Sequence, residues 1–123
     1  MAPRKLVSIV DDDESVREGV GRLLSSVGFA VNTFASAEEY LHSDQLGRTD
    51  CLLVDVCMPG KSGIQLERQL VVNYPMIPVI FITAHEEETA HVQALAGYAR
   101  TVVIKPFSEE ILLNAINSLL TGK

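Results

Sequence analysis

The sequence predicts an α/β fold in which helices cover both faces of one parallel sheet of five strands. Three observations carry that expectation. Short apolar runs alternate with helix-period segments from end to end, the pattern of parallel strands joined by right-handed crossovers. Three of those runs are nearly continuous, as expected of strands buried on both faces. Several of them stop at charged residues, Asp11-Asp12-Asp13, Asp55 and Lys105. An ionised side chain at the end of an apolar strand has left the core and faces a loop.

The first strand is expected over 5–10, where Leu6-Val7-Ser8-Ile9-Val10 runs into the three aspartates. Asp13 reads as the N-cap of a first helix. Val16, Val20, Leu23, Leu24 and Val27 form its inward stripe, and Gly28 stops it. A second strand follows over 29–34. Ser36-Ala37-Glu38-Glu39 reads as a capping box opening a short second helix. The third strand, 51–55, is Cys51-Leu52-Leu53-Val54 closed by Asp55.

A third helix is expected over 64–73, with Leu66, Leu70 and Val71 inward. It stops near Tyr74, because Pro75 disfavours helical geometry in the residue before it. The fourth strand is 78–83, with Pro78 tolerable at its first residue. Glu86-Glu87-Glu88 reads as the start of a fourth helix over 87–96, favoured by the helix dipole. That helix is weakly marked, by Val92, Leu95 and small alanines. A fifth strand over 101–104 precedes Lys105-Pro106. Ser108 caps a last helix with the stripe Ile111, Leu112, Ala115, Ile116 and Leu119.

At 123 residues the chain fits one domain, 1–123, with a core of useful size. The net charge of −6 argues against direct binding of nucleic acid, whose affinity comes largely from phosphate neutralisation. The balance suits a domain that holds a cation. Cys51 and Cys57 would lie about 20 Å apart along an extended segment, too far for a disulfide. They read as free thiols of a reducing, cytoplasmic compartment. The basic start is followed by too short an apolar run for a signal peptide. No apolar stretch is long enough to span a bilayer.

In an open parallel sheet, ligands bind outside the carboxyl ends of the strands. Asp11, Asp12, Asp55, Thr83 and Lys105 all fall at such ends. Clustered carboxylates need a cation. A hard divalent ion with oxygen ligands is the natural one, and Mg2+ uses one or two carboxylates and keeps several waters. Adding the Lys105 ammonium and the Thr83 hydroxyl gives a set suited to an oxyanion of dispersed charge. Phosphoryl transfer needs little more than such positioning and neutralisation, with Asp55 as the nucleophile forming an acyl phosphate. Pro106 is expected in the cis form, which would aim the lysine through a tight turn. Rival phosphate motifs fail. A P-loop ending at Gly60-Lys61-Ser62 would need a glycine where Asp55 stands, and Gly19-Val20-Gly21 lies inside a helix pattern. His42, His85 and His91 lack metal-ligand spacing and read as exposed, His85 at the rim of the site.

Ile9-Val10-Asp11-Asp12-Asp13-Glu14, Asp55-Val56-Cys57-Met58-Pro59-Gly60, Pro78-Val79-Ile80-Phe81-Ile82-Thr83-Ala84 and Lys105-Pro106-Phe107 together resemble a response-regulator receiver domain of two-component signalling. Ser15-Val16-Arg17, Phe34-Ala35-Ser36-Ala37-Glu38-Glu39 and Ser62-Gly63-Ile64 further resemble its FixJ-like branch, whose members often regulate transcription. The resemblance implies a doubly wound, flavodoxin-like three-layer sandwich with strand order 2-1-3-4-5. It makes Asp55 the phospho-acceptor. Mg2+ would be held by Asp12 directly, by Asp11 through water, by Asp55 and by the backbone carbonyl of Cys57. Thr83 and Lys105 would contact the phosphoryl group. Cys57 and His85 would tune hydrolysis of the acyl phosphate.

The phosphoryl donor would be a histidine on a sensor kinase or a phosphotransfer protein. The output surface would be the fourth helix, fifth strand and fifth helix, which serves the family in forming homodimers. A transcriptional role would need a domain not in this chain. The chain departs from the family pattern at Val102, where an aromatic is usual, and the segment from Gly97 to Lys105 is one residue longer than usual, implying a bulge at the start of the fifth strand. Tyr98 is the aromatic nearest in sequence to take over. The expected activity is a switch that assists its own phosphorylation and dephosphorylation, not an enzyme that turns over a substrate. Two other readings stay open at this point: a binding module of the same fold without phosphorylation control, and a metal-dependent phosphohydrolase. The second lacks the partner carboxylate two residues past Asp55, where Cys57 stands.

Overall fold

The computed structural model describes residues 4–97, 99 and 101–121. Five strands, β1 (Leu6–Val10), β2 (Ala30–Phe34), β3 (Cys51–Asp55), β4 (Val79–Thr83) and β5 (Thr101–Ile104), alternate with α1 (Glu14–Ser26), α2 (Ala37–Leu41), α3 (Gly63–Asn73), α4 (Glu88–Leu95) and α5 (Glu109–Leu120). A 3-10 turn, Leu46–Arg48, lies before β3. All pairings are parallel and the strand order is β2-β1-β3-β4-β5, as the resemblance implies. Each predicted element is present, with β3 and β5 at the expected bounds and the other stated ranges shifted by one residue at one end or both.

The alternation of side chains along each strand splits the core in two. Val7, Ile9, Leu53, Ile80, Ile82 and Val103 face α1 and α5 through Val20, Leu24, Leu112 and Ile116. Val10, Leu52, Val54 and Phe81 face α2, α3 and α4 through Tyr40, Leu66, Leu70 and Val92. β3 and β4 are buried at every position, which is why their sequences are continuous apolar runs rather than alternating ones. Full burial of a side chain such as Leu66 contributes roughly 2 kcal/mol.

The ends of the helices follow local chemistry. The Asp13 carboxylate accepts from Ser15 N and starts α1, and Gly28 takes a positive φ of 103° after it. Ser108 accepts from Ile111 N and starts α5. The capping box expected at Ser36–Glu39 is only half made. Ser36 Oγ accepts from Glu39 N at 3.0 Å, but the Glu39 carboxylate accepts from Ala35 N, at 3.3 Å. The complete box is at Ser62–Gln65, where both reciprocal bonds are present. α4 begins at Glu88 without a side-chain cap and buries only Val92, consistent with its faint apolar stripe.

The bulge expected in the fifth strand is not in its paired part. Register runs unbroken from Ile80↔Thr101 to Thr83↔Ile104, so any extra length sits in the connection before Thr101. That connection is anchored by Glu67, a buried carboxylate on α3 that accepts from Gly97 N at 2.7 Å and Ala99 N at 2.9 Å. Tyr98 lies outside the described residues. Val102 pairs in register with Phe81 and packs, partly buried, against the α2–α4 side of the core.

Candidate functional site

The strand order sets β1 and β3 side by side with β4 and β5 following, so the carboxyl ends of four strands open on one rim. Asp11 follows β1 and is almost wholly buried, with its N–H bonded to Phe34 O of β2 at 3.1 Å. Its Oδ1 accepts from Asp13 N at 2.9 Å, and its backbone carbonyl accepts from Arg17 Nη1 at 2.8 Å. Asp12 is exposed beside it. Asp55 closes β3, 8% exposed, and its Oδ1 accepts from Cys57 N at 3.2 Å.

Lys105 crosses from the other side. Its N–H bonds Thr83 O at 2.7 Å, and its Nζ stands 3.3 Å from Asp11 Oδ2 and 3.8 Å from Asp55 Oδ2. One ammonium thus serves two buried carboxylates that are remote in sequence. The Lys105–Pro106 peptide bond is cis. The carboxylate oxygens of Asp11, Asp12 and Asp55 lie within 4.8 Å of one another.

Burial pushes the Asp55 carboxyl up to about 6, and the Asp11 charge pushes the same way. Lys105 and the Cys57 N–H oppose that rise without cancelling it. Three carboxylates in so small a space, with one ammonium between two of them, leave an excess of negative charge. That excess, and the all-oxygen donor set, fit a hard divalent cation. Asp11, Asp12 and Asp55 are the residues that could hold Mg2+.

Thr83 is buried at the end of β4, and its hydroxyl is engaged by the backbone of His85, accepting from His85 N at 3.0 Å. The structure therefore brings Asp11, Asp12, Asp55, Thr83 and Lys105 to one rim. Cys57 and His85 flank it, both exposed. Cys57 Sγ lies 3.4 Å from Glu88 Oε1, and partial burial and that carboxylate push its thiol up. Both thiols are free, Cys51 being buried. His42 and His91 are exposed and away from the acidic cluster, as expected; His91 Nδ1 sits 3.5 Å from Glu88.

Sequence reading missed three contributors. Gly63 opens α3 with its backbone against the Asp55 carbonyl. Arg17 reaches back to Asp11, and Glu88 reaches Cys57. Gly63 and Arg17 stood only inside phrases that carried the family resemblance, and Glu88 read as a helix start.

Comparison with known proteins gives the family. A family model described as the response regulator receiver domain matches residues 7–117. The response regulator protein TodT of Pseudomonas putida is 38% identical over 115 residues, covering 94% of this chain and 51% of TodT. The solved response regulator StyR is 40% identical with a TM-score of 0.83, over 97% of this chain and 60% of that one. TrrA from Thermotoga maritima, solved in complex with Mg2+–BeF, is 26% identical with a TM-score of 0.84, over 94% of this chain and 99% of that one. The chain spans about half the length of the curated relatives it matches. Only short stretches at either end fall outside residues 7–117, and the chain belongs to the response regulator receiver domains.

Proposed function

We propose that Asp55 accepts a phosphoryl group from a histidine of a partner kinase or phosphotransfer protein, and that the resulting acyl phosphate resets the surface of this domain. The observation that carries this reading is the single Lys105 ammonium held 3.3 Å from Asp11 and 3.8 Å from Asp55. Such a group is placed to meet a phosphoryl oxygen arriving on Asp55. A relative solved with Mg2+–BeF supports the same chemistry.

An Asp55 oxygen forms the bond to phosphorus while the phosphorus–nitrogen bond to the donor imidazole breaks, and the imidazole leaves with that electron pair and takes up a proton. Asp55 is ionised above about pH 6 and so is a competent nucleophile at neutral pH. Asp12, Asp11 through water, Asp55 and the Cys57 carbonyl would hold Mg2+, which would supply charge to neutralise the phosphoryl oxygens. Lys105 supplies a second cation. The Thr83 hydroxyl exchanges its bond with the His85 backbone for one to the phosphoryl group. Cys57 and His85, exposed on either side, govern access of water and hence the lifetime of the acyl phosphate.

The output surface is α4, β5 and α5, where Leu95, Ile104 and Ile111 are exposed. Phosphorylation shifts a pre-existing equilibrium at that face toward a homodimer or toward contact with an output domain that regulates transcription. The domain assists its own phosphorylation and hydrolysis and turns over no other substrate.

The test is intact mass after incubation with acetyl phosphate, with and without Mg2+. The parent chain gains one phosphoryl group only with Mg2+, and Asp55→Asn gains none. A second reading, a binding module that ignores phosphorylation, is favoured by one observation, Val102 in place of an aromatic at β5. Absence of labelling would favour that reading instead.

A further inference from the structure

We infer that Arg17 is a positioning residue for the cation site: by holding the Asp11 carbonyl it fixes the turn that presents Asp11 and Asp12. The inference rests on the proposed Mg2+ chemistry. Arg17 lies in the first turn of α1, and its own N–H donates to Asp13 O at 3.1 Å. Its side chain then doubles back, and Nη1 donates to Asp11 O at 2.8 Å. One residue therefore clamps the backbone on both sides of Asp12.

The clamp completes a set of contacts on Asp11. Its N–H is bonded to Phe34, its carbonyl to Arg17, one carboxylate oxygen to Asp13 N and the other to Lys105. Every polar atom of that residue is bonded, so its carboxylate has one orientation. Asp12, exposed, takes its position from the backbone on either side. Arg17 is half-buried and lines the surface hollow between α1 and β2 with Glu18 and Thr33. It acts through the Asp11 backbone rather than on the cation.

Geometry and charge make opposite predictions, which makes the inference testable. A guanidinium near a cation site repels the cation, so if charge dominated, removing Arg17 would tighten Mg2+ binding. If placement dominates, removing it loosens binding, as loss of groups that orient metal ligands does, by about 10-fold or more. Arginine offers a planar fork that holds a carbonyl in a fixed direction, and lysine offers a single flexible ammonium.

The experiment is calorimetric titration of the unphosphorylated chain with MgCl2, for the parent, Arg17→Ala and Arg17→Lys, with thermal unfolding measured without Mg2+. The expected result is about 10-fold weaker Mg2+ binding in Arg17→Ala and partial recovery in Arg17→Lys. Labelling of Arg17→Ala by acetyl phosphate falls more at limiting than at saturating Mg2+. Unchanged or tighter Mg2+ binding in Arg17→Ala overturns the inference. So does a loss that appears only at temperatures where Arg17→Ala has begun to unfold. If the parent itself binds no Mg2+, the proposed function fails first, and that outcome is read from the parent alone.

Discussion

Gly63 lies with its α-carbon against the backbone carbonyl of Asp55, so close that any side chain there would overlap it. Its N–H also donates to Val56 O at 3.1 Å. α3 thus begins directly on the acceptor residue. One turn along the same face, Glu67 is buried and holds the backbone of Gly97 and Ala99. The helix joins the acceptor strand to the loop before β5 without passing through Val102.

Gly63→Ala places a methyl group on that carbonyl and forces α3 away from β3. Overpacking against rigid backbone costs about 1–3 kcal/mol. Urea unfolding of Gly63→Ala should show a loss of that size, together with slower labelling of Asp55. Parent-like stability would mean the close approach is not a constraint.

Glu67→Ala leaves the N–H groups of Gly97 and Ala99 without their carboxylate acceptor. Losing a buried acceptor costs about 1–3 kcal/mol, more where it is charged. Hydrogen exchange at the Gly97 and Ala99 amides should accelerate in this variant by more than exchange in β1 does. Uniform acceleration across the sheet would show only a global effect.

The raised pKa of Asp55 fixes a pH dependence. Below about pH 4 the group is protonated folded and unfolded alike and has no effect. Between pH 4 and about 6 the folded state keeps a proton that the unfolded state releases. Stability of the Mg2+-free domain therefore falls as pH rises through that window, by at most about 3 kcal/mol, and stays lower above it. In Asp55→Asn this component of the slope should vanish, leaving the variant more stable than the parent at pH 7. Chemical denaturation at several pH values reads both effects, and an Asp55→Asn curve parallel to the parent's would refute them.

Lys105→Gln removes the ammonium between Asp11 and Asp55. A partly buried ion pair that loses one partner costs more than an exposed one, and with Lys105 22% exposed the expected loss is about 1–2 kcal/mol at pH 7. The stability slope assigned to Asp55 should also move to higher pH, since the cation that lowers its pKa is gone. Mg2+ binding should persist, because the carboxylates remain. A variant unable to bind Mg2+ would contradict the assignment of the ion to the acids.

What the sequence made legible was whatever repeats or ends locally. Apolar runs marked every strand, and the charges that closed them marked Asp11, Asp55 and Lys105. Family resemblance then supplied the strand order that periodicity lacks. Contacts made by folding alone left no local trace. Arg17 and Gly63 stood only inside phrases that carried the family resemblance, and Glu67 drew no reading at all. The two capping patterns show the same limit. Ser36–Glu39 and Ser62–Gln65 have equivalent spacing, yet only the second closes fully, because the Glu39 side chain finds Ala35 N instead.

The lysine and the aspartate it meets most closely are 94 positions apart, and the acceptor stands between them on a third strand. No excised loop or single hairpin can carry this chemistry in miniature. A clip that freed β5 and α5 would leave an acidic notch stripped of its counterweight.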